Sequence, residues 1–224
     1  PGKIDEIFDA VSYSKGACII RMLEEFLGEE KFRDGLRHYI NKFKYGNATT
    51  NDLWNSLELI SKQPVKKIMD SWTKQTGYPI IKVEIKNNRL ILEQERFFYL
   101  KKKDSQIWNI PIELYFNNKK EYYLMTSKKV EIKINGDVKI NKSQIGFFRV
   151  RYDDETLNKL MKSKLDFKEK LGLLNDIYAL TRGSYVPVDK YLNLVYNYRN
   201  EDHYIIWDEI STGLAKIDSL FYEE

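Results

Sequence analysis

Three side chains in this sequence of 224 residues could act as soft metal ligands or as part of a nucleophilic pair: His38, His203 and the single cysteine, Cys18. A catalytic metal needs several converging His, Asp, Glu or Cys ligands, commonly two histidines one helical turn apart. His38 and His203 are far apart in sequence and neither has a second histidine at i+3 or i+4. A Ser-His-Asp triad would have to use one of these same histidines, and no G-x-S-x-G elbow accompanies them. The eleven glycines are scattered, so no phosphate-cradling loop is present. Surface or interface positions are therefore expected for both histidines. Tyr13 stands at the start of a long helical pattern, where spacing alone reads it as a ring packed at a helix start with its hydroxyl bonded to nearby backbone.

The remaining composition narrows the function classes further. A hydrophobic content of 42% with 14% aromatics is that of a chain able to bury a core. The net charge of +4 comes from 37 basic and 33 acidic residues, too balanced to require a polyanion. Residues 101–140 hold nine lysines against five acids, but no nucleic-acid-binding module accompanies them. The Lys101–Lys103 run reads as a solvated loop between strands. With one cysteine no intramolecular disulfide can form, which fits a reducing cytoplasm. No apolar run approaches the roughly 20 residues needed to span a bilayer, so a soluble chain with no membrane partner is expected. The opening on Pro1 and the close on Glu224 read as cut ends.

Helical spacing governs the first third. Residues 11–27 place apolar side chains around most of the circumference, predicting a largely buried helix with Cys18 as a small core residue, Gly16 allowing close packing and Gly28 as the stop. Further helices are predicted over 29–43, from an N-cap at Thr50, and from Pro64 to a stop at Gly77, together an antiparallel bundle. Trp54 and Trp72 fall on apolar faces and are expected as core anchors. At Tyr78-Pro79 the pattern changes to alternation. Seven short strands are predicted: 80–86, 89–95, 107–116, 121–126, 128–134, 137–141 and 147–152, with turns at Asn87-Asn88, Asn117-Asn118 and Asn135-Gly136. They read as an antiparallel β-sandwich of about 75 residues. Helical spacing resumes after Asp153-Asp154 and runs to Leu220, where Tyr191, Leu194 and Tyr198 are expected to need partners beyond residue 224.

The segment FDAVSYSKGACIIRML resembles the stretch that follows the zinc site in the aminopeptidase N family of zinc metallopeptidases, which includes puromycin-sensitive and tricorn-interacting aminopeptidases. YGNATTNDLW at 45–54, IMDSWTKQTGYPII at 68–81, GFFRVRYD at 146–153 and KLGLLNDIYAL at 170–180 resemble the family's landmarks in the same order. The resemblance implies a multidomain α+β protein: residues 1–78 as the helical end of a thermolysin-like catalytic domain, 79–153 as the β-sandwich, and 154–224 as the start of an α-helical domain. It implies a zinc-dependent aminopeptidase acting on peptide substrates, with a protease complex as a partner to consider. The G-x-M-E-N and H-E-x-x-H motifs are absent, so a 224-residue fragment that binds no zinc and is inactive alone is expected. Tyr13, in SYSKG, matches the family's transition-state stabiliser, which donates to the oxyanion formed when zinc-bound water attacks the peptide carbonyl. Lys15 belongs to the motif without an assigned role. A non-catalytic interaction scaffold on the same fold is the alternative.

Overall fold

The computed structural model of the chain describes residues 10–100, 102–116, 119–136 and 138–219. The expectations for Phe8 and Asp9 of the first motif, Lys101, the Asn117-Asn118 turn, Asp137 and Leu220 lie outside the described residues. Four helices come first: α1 (Ala10–Leu27), α2 (Glu29–Phe43), α3 (Thr50–Ser61) and α4 (Val65–Thr73). Seven strands follow, β1 (Pro79–Lys86), β2 (Arg89–Arg96), β3 (Ile110–Phe116), β4 (Lys119–Met125), β5 (Lys129–Lys133), β6 (Val138–Ile140) and β7 (Arg149–Tyr152). The chain then returns to helices in α5 (Asp154–Lys162), α6 (Phe167–Arg182), α7 (Val188–Asn197) and α8 (Tyr204–Asp218). The architecture is mixed α+β with two small sheets.

Local chemistry explains the joints. Gly28 alone separates α1 from α2; its φ of +83° is a conformation open to glycine, its N–H donates to Glu24 and its carbonyl accepts from Phe32. The N-cap of α3 is Thr49, one residue before the expected Thr50, because the Asp52 carboxylate accepts from both the Thr49 N–H and its hydroxyl. Pro64 caps α4 rather than occupying its first turn, and α4 ends at Thr73, short of Gly77. Asn87 and Asn88 both take positive φ, the two-residue turn that suits the twist of a hairpin, and they fix the β1–β2 register at Lys86 opposite Arg89.

The strands form the sheets β5-β2-β1-β7 and β4-β3-β6. One pairing departs from the antiparallel expectation: β7 lies parallel to β1, with Ile80 opposite Arg149 and Val83 opposite Tyr152. Alternation reports which face a side chain takes and carries no strand direction, and β7 reaches β1 only after the chain has crossed the other sheet. β3 starts at Ile110, three residues later than expected. Side chains satisfy the preceding backbone instead: Gln75 donates to the Ile107 carbonyl, while Gln94 and Ser71 accept from the Trp108 and Asn109 N–H groups.

Two cores result. The first joins the buried stripes of α1 to α4 to the facing sides of both sheets, with Trp72 and Trp108 among its largest fully buried side chains and Trp54 5% exposed. The period-2 alternation of β1 sends Ile81 and Val83 into this core and Ile80 into the second, where it meets α5 to α8. Tyr191, Leu194 and Tyr198 of α7 are buried in that second core, so their expected need for partners beyond residue 224 is corrected: α6 and α8 cover them. The apolar side chains left exposed there are Val188, Leu192 and Tyr196 on α7 and Tyr204, Ile205 and Trp207 on α8.

Candidate functional site

α1 is buried along one stripe, Ile19, Met22, Leu23 and Leu27, at spacings of three and four. Tyr13, Ser14, Ala17, Cys18 and Arg21 occupy the opposite, exposed face. The expectation of a largely buried helix is thereby corrected, and so is the core position of Cys18, whose thiol is exposed. A run of apolar letters filled the helical wheel, but only the Ile19 stripe meets the first core. Gly16 likewise makes no close contact: a Cβ there would meet nothing within 4 Å. Tyr13 lies in the first turns of α1 with 62% of its surface exposed.

Lys15 acquires a role that its sequence position did not reveal. Its Nζ donates to the carbonyl of Gly77, 3.2 Å away, linking α1 to the α4–β1 connection. Burial, and then the neighbouring Arg96 guanidinium, hold the Lys15 ammonium below its usual range. At its other end α1 is held by Glu25, which accepts from Lys120 at 3.0 Å, and by Phe26 edge-on to Tyr122. Cys18 borders a cleft of about 420 Å³ shared with Tyr78, the 144–149 loop and α6.

The far wall of that cleft holds a charged pair missed in the sequence. Asp176 of α6, 7% exposed, accepts from Arg149 Nη1 at 3.2 Å and from the Val150 N–H at 3.1 Å. Burial pushes its carboxyl up to about 6 against the pull of Arg149 and the Val150 N–H. For Arg149, burial acts to lower the value, but the Asp176 carboxylate and Tyr78 outweigh it and raise it. A signal was available: Asp176 lies three residues after Leu173 and four before Leu180, on the apolar face of α6.

A folded-state value above that of an unfolded aspartate means that the folded protein binds this proton more tightly. The stability contributed at Asp176 is therefore full below about pH 4 and lost as pH rises through about 6. The unfolding free energy of the parent relative to Asp176→Asn, which stays neutral, is expected to fall by roughly 1–3 kcal/mol between these limits. Urea titrations at a series of pH values measure it, and a pH-independent difference would reject the assignment.

The donor set of the described residues does not fit a zinc ion. Among the described residues no three His, Cys, Asp or Glu side chains converge into a group that could hold a metal. His38 sits on α2 with its Nδ1 buried and unpartnered, Cys18 is on the exposed face of α1, and His203 caps α8. His203 Nδ1 accepts from the Ile205 N–H at 3.3 Å while its ring stacks on Phe167 at 3.9 Å between centroids, a structural use of the imidazole. No described helix is long and apolar enough to cross a membrane.

Residues 1–72 match the model of the peptidase family M1 domain, and residues 138–224 match that of the ERAP1-like C-terminal domain. The chain is 37% identical over 217 residues to the probable aminopeptidase 2 of Sulfurisphaera tokodaii, an alignment covering 96% of this chain and 28% of that protein. It is 37% identical over 219 residues to the tricorn protease-interacting factor F2 of Thermoplasma volcanium, covering 97% of this chain and 28% of the relative. With the alanine/arginine aminopeptidase of Saccharomyces cerevisiae the identity is 36% over 231 residues, covering 99% and 27%. The chain thus spans little more than a quarter of the length of these relatives. One family match thus lies at each end of the chain, and relatives named as aminopeptidases align along nearly its whole length.

Proposed function

We propose that these 224 residues are part of a longer zinc-dependent aminopeptidase that removes N-terminal residues from peptides, and that Tyr13 stabilises its transition state. In this reading residues 1–78 close the catalytic domain, 79–153 form the sandwich and 154–224 begin a helical domain. The metal ligands and the general base belong to parts of the protein outside this chain. The observation that carries the reading is the exposed Tyr13 on the face of α1 turned away from the core, within a region that matches the M1 domain.

The chemistry asks for a donor at this point. As the scissile carbonyl becomes tetrahedral its oxygen gains negative charge, and a phenolic O–H aimed there favours the charged species over the neutral carbonyl. The Tyr13 backbone belongs to a helix fixed in the first core by Ile19, Met22 and Leu23, which limits the reorganisation needed at the moment of reaction. Two relatives are named tricorn protease-interacting factor F2, and on that basis the proposal extends to a protease-complex partner. Cytoplasmic residence is part of the same reading, since a reducing compartment preserves the exposed Cys18 thiol.

Hydrolysis of aminoacyl arylamides tests the proposal. The full-length protein is expected to release the arylamine from substrates with a free α-amino group and to spare N-acetylated ones, whereas residues 1–224 alone show no turnover even with added zinc. Robust turnover by the 224-residue chain would overturn the assignment of the metal site to other parts of the protein. No turnover by the full-length protein would overturn the aminopeptidase reading.

A further inference from the structure

The first turns of a helix lack part of the hydrogen bonding that holds its interior and are where local opening is least costly. Among the described side chains of α1 the buried ones begin at Ile19, six residues after Tyr13. Lys15, two residues from Tyr13, reaches across 62 positions to the Gly77 carbonyl.

The receiving carbonyl is itself fixed. Gly77 has a φ of +85°, and a Cβ there would come within 2.5 Å of Arg96 Nε, so the Arg96 side chain lies directly over the glycine. Arg96 in turn donates to Asp104 at 2.9 Å and Gln106 at 2.8 Å through Nη1, and to Thr76 at 3.0 Å through Nη2. Lys15 therefore accepts partial burial beside another cation, whereas a lysine free to extend into water would avoid both. The bond to Gly77 is what offsets that arrangement.

We propose that Lys15 is a positioning residue for Tyr13: its bond to Gly77 locks the opening turns of α1 against the α4–β1 connection and so fixes the direction of the Tyr13 hydroxyl. This rests on the transition-state role given to Tyr13 above. A donor contributes most when it is already aimed, and small misplacements of a reacting group are costly in rate.

The test uses the full-length protein and two readouts. Lys15→Met keeps the aliphatic stem and loses the ammonium; kcat is expected to fall about tenfold with KM within about twofold, and Lys15→Arg, which retains a donor, to recover most of it. In a Tyr13→Phe background Lys15→Met is expected to change kcat by less than about twofold, because both substitutions remove the same aimed donor. Hydrogen exchange at the Ser14 to Cys18 amides is expected to quicken in Lys15→Met without a change in Tm. Equal losses of kcat in both backgrounds would overturn the positioning role, and unchanged exchange would overturn the tether itself. Faster exchange with a Tyr13→Phe enzyme of undiminished kcat would instead reject the role of Tyr13, and the positioning role with it.

Discussion

Tyr13→Phe in the full-length protein is expected to lower kcat by about 100- to 1,000-fold, equivalent to about 2.7–4 kcal/mol of transition-state stabilisation, while KM changes little. Phenylalanine preserves the ring, the helix and the exposed surface, and removes only the phenolic donor. The neutral ground-state carbonyl needs that donor far less than the oxyanion does, so the loss appears in kcat. Because Tyr13 is 62% exposed and outside both cores, Tm should be unaffected. Steady-state kinetics on an aminoacyl arylamide, paired with a thermal melt, separates the two effects. An unchanged kcat would remove Tyr13 from the mechanism.

The largest expected effect on stability lies at Trp72. Its indole is 1% exposed, packs at 6.2 Å from the rings of Trp108 and Phe147, and donates through Nε1 to the Asn109 carbonyl at 3.0 Å. Asn109 is also bound by Ser71 and donates to the Lys67 carbonyl, so α4 and the approach to β3 are joined at several points around this ring. Trp72→Ala removes the packing, opens a cavity and leaves a carbonyl unsatisfied, together costing about 3–5 kcal/mol or more. Urea unfolding of the parent and variant measures it. A loss below about 1 kcal/mol would mean that the region closes around the gap, contrary to a ring gripped from both sides. Helical and sheet signals should be lost in the same transition, because one core serves both.

Much of this organisation was legible in the sequence, and the failures share a cause. Helix and strand positions follow from local periodicity, and Asn87-Asn88 and Asp153 mark their boundaries by chemistry confined to a few neighbouring residues. Trp54 and Trp72 were identifiable as core residues because size and helical phase agree. The errors arise where the deciding partner is distant. The apolar richness of α1 points Cys18 into the core, yet only the tertiary contact at Ile19, Met22 and Leu23 selects the buried face. The apolar pattern of Tyr191 and Tyr198 does not disclose that α6 and α8 supply their partners. The partner of Lys15 is a backbone carbonyl, which no pattern of side chains can announce. Tyr13 was singled out by the motif around it; spacing alone does not distinguish it from the other fifteen tyrosines.

The hydrogen bond from the Val150 N–H to Asp176 has a consequence for solubility. β7 is the outer strand of its sheet, paired on one side only, and an open strand margin can recruit a strand from another molecule. Here a side chain from α6 occupies one of the donors such a recruit would need, and the helix that carries it lies alongside. Loosening of α6, even with both sheets intact, would thus uncover a template for self-association. Turbidity or light scattering on mild heating should then rise before the sheet signal is lost.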